Sequence, residues 1–67
     1  MEEFLNKNCY IKIDVAGKIF YYLDAIVTNI SETHISFNDT TRFNEPHTYR
    51  IKDIIEIRFS KSYGVKK

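Results

Sequence analysis

Three pairs of residues hold the chemistry that this sequence offers. Arg42-Phe43 and Tyr49-Arg50 set a cation directly beside an aromatic ring, and Tyr10 and Lys12 do so two residues apart. An aromatic face stacks on an unpaired base whatever its identity, and a guanidinium or ammonium beside it holds the phosphate. These residues therefore point to binding of single-stranded nucleic acid, RNA before DNA. Asp14, Asp24, Glu45 and Glu56 lie among them in the sequence and oppose a phosphate backbone. Catalytic chemistry has no such grouping. The chain lacks G-x-S-x-G, H-E-x-x-H, C-x-x-C and P-loop motifs. His34 and His47 have no third ligand spaced to complete a metal site, and the single Cys9 falls within an apolar strand pattern. The expectation is a binding protein that is not an enzyme, with no metal, cofactor or small-molecule substrate.

Ten Lys and Arg against nine Asp and Glu leave a net charge of +1, so any pull on nucleic acid has to be local rather than a long-range field. Five Tyr and five Phe without a Trp make the chain 15% aromatic. Tyrosine, an apolar ring with a polar tip, suits half-buried contact surfaces. Sixty-seven residues allow one domain and one core, of a size that gains from sheet closure or from oligomerisation. One cysteine permits no internal disulfide. The opening MEEFLNKN has no cationic stretch ahead of an apolar one, and no segment reaches the roughly 18 apolar residues of a membrane span. The expected setting is the cytoplasm, with no membrane partner.

The elements that must position these residues are strands. Cys9, Ile11, Ile13 and Val15 alternate with Tyr10, Lys12 and Asp14, the pattern of a half-buried strand. Ala16-Gly17-Lys18 supplies the glycine of a tight hairpin. Ile19 to Ile30 is apolar at Ile19, Tyr21, Leu23, Ala25 and Val27 and also at Phe20, Tyr22 and Ile26, so both faces of this long strand want cover. That predicts a small closed barrel, with Phe20, Tyr22 and Ile26 free to meet another subunit or a partner protein. After the polar Ser31-Glu32-Thr33-His34, the inward alternation resumes at Ile35 and Phe37. Asn38 to Pro46 is the longest polar stretch, and its Phe43 either plugs the barrel mouth or stands ready for contact. A short strand follows from His47. Ile51, Ile54 and Ile57 then recur every three residues, which marks one 3₁₀ step before the last strand.

The expected division is an arm or helical turn over 1–8, with Phe4 and Leu5 capping the core, a barrel over 9–59 and a basic tail over 60–67. The core is expected to hold Ile11, Ile13, Leu23, Val27, Ile35, Phe37, Ile51, Ile54 and Ile57.

This all-β order of five strongly bent antiparallel strands resembles the SH3-like small barrels, and among them the Sm-like family. The resemblance covers about Leu5 to Phe59. It is carried by Gly17 followed by Phe20, by His34-Ile35-Ser36-Phe37 running into Asn38-Asp39, and by the closing Ile51-Lys52-Asp53-Ile54-Ile55-Glu56-Ile57. It implies rings in which the fourth strand of one subunit pairs with the fifth of the next, and RNA bound by two loops. Those loops correspond here to Ser31–His34 and to Tyr49-Arg50-Ile51-Lys52. Tyr49 and Arg50 match the bacterial form of the second loop, and Ile51 stands where that form has a histidine. Two function classes follow: a module for single-stranded RNA, and a protein-interaction or self-assembly module without nucleic acid.

Overall fold

The computed structural model describes residues 1–60. The expected basic tail therefore lies, from residue 61 on, outside the described residues. Strand β1, Asn8–Val15, keeps the alternation its sequence dictates: Cys9, Ile11 and Ile13 are fully buried while Tyr10, Lys12 and Asp14 face outward. The chain reverses through Ala16 (φ 53) and Gly17 (φ 89), both left-handed as a two-residue hairpin of matching twist requires. Asp14 Oδ1 accepts a 2.8 Å hydrogen bond from Gly17 N and fixes the turn. Val15 and Lys18 close the hairpin.

Strand β2, Lys18–Ile30, differs from its sequence expectation. Cys9 pairs with Ala25, yet Ile11 pairs with Tyr22, so Leu23 and Asp24 on β2 oppose the single Tyr10 on β1. A bulge of this kind reverses which side chains point inward. Before it Phe20 and Tyr22 face the core; after it Ala25 and Val27 do. The run that read as apolar on both faces is two half-strands of opposite parity. Leu23, expected in the core, is 66% exposed, and Tyr22, expected outside, is 7% exposed. A second irregularity at Thr28 returns Ile30 to the core side, opposite Ile35.

Strand β3, His34–Asp39, buries Ile35 and Phe37. A 3₁₀ turn, Thr40–Arg42, leads to strand β4, Glu45–Arg50. The 3₁₀ step expected from the isoleucine spacing lies at Ile51–Asp53 and hands over to strand β5, Ile54–Phe59. All neighbours are antiparallel in the order β4-β3-β2-β1-β5. The sheet curls strongly around one core but does not close, since among the described residues β4 ladders only with β3 and β5 only with β1. Ile51, Ile54 and Ile57 pack against the core from this open side and stay partly exposed, which is why they are not among the fully buried set. The N-terminal piece is a 3₁₀ turn, Glu2–Phe4. Asn6 N donates to Val27 O at 2.7 Å, and Phe4 lies 4.9 Å from Phe59, ring to ring. No helix among the described residues is long and apolar enough to cross a membrane.

The parity reversal can be checked by melting. Phe37→Ala should cost about 3–5 kcal/mol and lower Tm by roughly 4–8 °C per kcal/mol, whereas Leu23→Asp should leave Tm nearly unchanged. A Leu23→Asp loss as large as that of Phe37→Ala would place Leu23 in the core after all. Burial, and after it the charge of Asp24, push the Cys9 thiol from 9.0 up to about 11. A raised value means the folded chain holds the thiol protonated, so its contribution to stability is whole below the ordinary value of 9.0 and is lost as pH climbs towards about 11. Urea midpoints taken between about pH 7.5 and 10 should therefore fall with pH in the wild type, and fall less steeply in Cys9→Ala.

Candidate functional site

The curled sheet presents its outer face along β5, β1 and β2. Tyr10 lies opposite Arg58, and the guanidinium carbon of Arg58 sits 4.2 Å from the Tyr10 ring centroid. Lys12 lies opposite Tyr21, with its ammonium 5.4 Å from that ring. Tyr10 and Lys12 are thus on the face expected for them, but ring surfaces that a base would stack on already carry cations of the same chain. Arg58 also pairs with Glu56, two residues away on the same strand.

Arg42 and Phe43 stand together at the tip between β3 and β4. Asp39, buried at the end of β3, caps the 3₁₀ turn by accepting from Thr41 N at 3.0 Å and from Thr41 Oγ1 at 2.6 Å. Its other oxygen is 3.8 Å from Arg42 Nε. Phe43 (φ 60) and Asn44 (φ 58) follow, both left-handed. Phe43 is fully exposed at 101%, so it does not plug the sheet. For a large aromatic residue this conformation costs roughly 1–2 kcal/mol, and solvent exposure of its ring returns none of it.

Tyr49 is half-buried and packs against the core. Its ring stacks on Phe37 at 5.9 Å and its hydroxyl meets that of Tyr22 at 2.6 Å. Tyr22, His47 and Phe20 complete one aromatic cluster around Phe37. Burial, followed by the hydrogen bond with Tyr49, pushes the Tyr22 hydroxyl well above the ordinary phenol value. The trio Phe20, Tyr22 and Ile26 does not form one outer surface: Phe20 and Tyr22 point inward ahead of the bulge, and Ile26 lies on the opposite face beyond it.

Arg50 is exposed, with Nε 3.4 Å from Asp53 Oδ2. Beside it the connection before β3 and the step after β4 meet, since Ile51 N donates to Thr33 O at 2.8 Å. Glu32, Thr33, Arg50, Ile51 and Lys52 line an open cleft of about 390 Å³ there.

Two features escaped the sequence. Ile19, Tyr21 and Leu23 form an exposed apolar stripe at 38%, 58% and 66%. Among the described residues the same half of β2 has a free edge, because β3 joins β2 only from Ala25 onward. That edge opens on a groove of about 290 Å³ lined by Phe20, Tyr21, Tyr22, Arg42, Glu45 and His47. The available signal was Asp24, a carboxylate inside an apolar run. It is 3% exposed, held by Asn8 Nδ2 at 3.0 Å and by the Thr40 hydroxyl, and it marks the bulge where parity reverses.

The phenol pair gives a measurable asymmetry. Tyr49→Phe leaves the buried Tyr22 hydroxyl without its partner and should cost about 1–3 kcal/mol, whereas Tyr22→Phe/Tyr49→Phe should regain most of that loss. Additive losses in denaturant melts would show that the two hydroxyls are not coupled.

The chain matches no family model, and neither a curated protein nor a solved structure matches it.

Proposed function

We propose that the chain is a non-enzymatic interaction module that docks proteins, or copies of itself, by adding strands to the open edges of its sheet. The observation that supports it most directly is the unclosed sheet, in which β4 and β5 are each paired on one side only among the described residues. An edge offers a row of unpaired main-chain donors and acceptors, and strand addition is how such a row is satisfied by another chain. On β5, Ile55 and Phe59 are both 51% exposed, so apolar area is there to be covered as well. Pro46 blocks pairing only at the start of β4. Strand order and the 3₁₀ step between the last two strands suit an SH3-like barrel of Sm-like arrangement. On that basis β4 of one copy meets β5 of the next, a head-to-tail contact that closes as a ring or runs on as a filament. Multi-angle light scattering from micromolar to millimolar concentration should show a mass rising above the 8.0 kDa monomer. A monomer throughout removes self-assembly and leaves only foreign protein partners.

A second reading, single-stranded RNA, is favoured by the cleft where Ile51 N meets Thr33 O, which brings Arg50 and Lys52 to the connection before β3. Arg42 and Phe43 add a cation and an open ring face at the other end. With a net charge of +1, two to four phosphate contacts would give weak binding and a salt slope of roughly −1.5 to −3. Anisotropy with a labelled mixed-sequence RNA should then lose binding in Arg50→Glu/Lys52→Glu and in Phe43→Ala. No binding by the wild type at low salt removes RNA and leaves strand addition.

A further inference from the structure

Five consecutive apolar residues, Ile19-Phe20-Tyr21-Tyr22-Leu23, run along the free half-edge of β2. Their one ladder partner among the described residues is β1. The stretch has definite limits. At one end lies the hairpin closed by Val15 and Lys18. At the other, Thr40 Oγ1 donates 2.9 Å to Asp24 O and takes the place that a further strand would need. Ladder bonds to β1 use alternate residues, so about half of the main-chain groups between these limits turn towards the groove. Natural sheets shield such edges with charge, proline or a covering loop; Ile19 to Leu23 holds neither charge nor proline, and although Lys12 and Lys18 lie over the Tyr21 and Phe20 rings, no strand among the described residues ladders with this edge.

The residue order selects what fits. Laid antiparallel against itself about a two-fold axis at Tyr21, the segment sets Ile19 opposite Leu23 of the second copy, Phe20 opposite Tyr22, and Tyr21 opposite Tyr21. Directly opposed residues in an antiparallel pair share a face. The exposed Ile19, Tyr21 and Leu23 would thus join their counterparts in one continuous apolar row outside. Phe20 and Tyr22 would meet their counterparts inside, where the groove beside Arg42 and His47 has room. A slip of one residue sets inward against outward side chains and is forbidden. A shift towards Asp24 collides with Thr40, and a shift the other way sets the Lys18 ammonium against Tyr22.

We infer that the Ile19–Leu23 edge of β2 is a two-fold docking surface for a second copy of this chain, in the register centred on Tyr21. The inference rests on the strand-addition reading but names a different edge and a contact that closes at two copies. The test uses the whole chain in a Cys9→Ala background. Under mild oxidation Tyr21→Cys should give disulfide-linked dimers, and Asn29→Cys, beyond the bulge, should not. Ile19→Glu and Leu23→Lys, both at exposed positions, should each weaken the dimer roughly tenfold while melting as the parent does. Ile19→Glu/Leu23→Lys should regain it to within about threefold, because the register sets each Glu opposite a Lys. Cross-linking at position 21 without this charge rescue overturns the register. Association that persists without cross-linking at 21, and that Leu23→Lys leaves unchanged, overturns the edge but not strand addition at β4 and β5. A monomer at millimolar concentration overturns the dimer altogether.

Discussion

Leu23 and Asp24 facing the single Tyr10 across the β1–β2 ladder is the constraint from which most of the molecule follows. With two residues against one, the side chains of β2 exchange faces half-way along the strand. Only this exchange lets Phe20 and Tyr22 from one half, and Ala25 and Val27 from the other, share a core with Ile11, Ile13, Ile35 and Phe37. It also throws Leu23 into solvent, and with it the stripe shared by Ile19 and Tyr21.

The polar groups at the bulge explain why it sits where it does. An extra residue leaves a ladder locally unpaired, and buried main-chain groups need partners. Asp24 brings a carboxylate to that point, where Asn8 and Thr40 bond it, and Thr40 also caps its carbonyl. Thr40 opens the 3₁₀ turn that Asp39 holds at its start. The bulge, the tip carrying Arg42 and Phe43, and the groove between them are therefore one connected structure. Mutations at Asn8 or Thr40 would act on the groove without touching it.

Charge plays a smaller part than ring packing here. The cations beside the exposed rings are largely engaged within the chain: Lys12 on Tyr21, Arg58 on Tyr10 and Glu56, Arg50 on Asp53. Exposed pairs of this kind contribute little to stability, but they occupy ring faces and donors that a nucleic acid would need. Apolar side chains at Ile19, Leu23, Ile55 and Phe59 remain a third or more exposed, Phe59 even with the Phe4 ring against it, and sit on or beside strands with an open edge among the described residues. Burial of that area by another strand brings apolar contact and main-chain hydrogen bonds together.

Local pattern determined a good deal by itself. Alternation fixed β1 and buried its Cys9, since side chains of a strand must take opposite faces. Gly17 marked the hairpin, because its left-handed turn is least costly without a Cβ. The spacing of Ile51, Ile54 and Ile57 gave the 3₁₀ step, whereas Phe43 in its polar stretch could have plugged the sheet or stood in solvent, and only the structure exposes it. What the tertiary structure alone decided was register. A ladder bulge depends on two strands jointly, so no period within Ile19 to Ile30 could reveal which half of the run faces inward. For the same reason Tyr49 packs half-buried against the core beside Tyr22, the apparent second face of β2 resolved into a stripe and a free edge, and closure gave way to two open strands at the ends of the sheet.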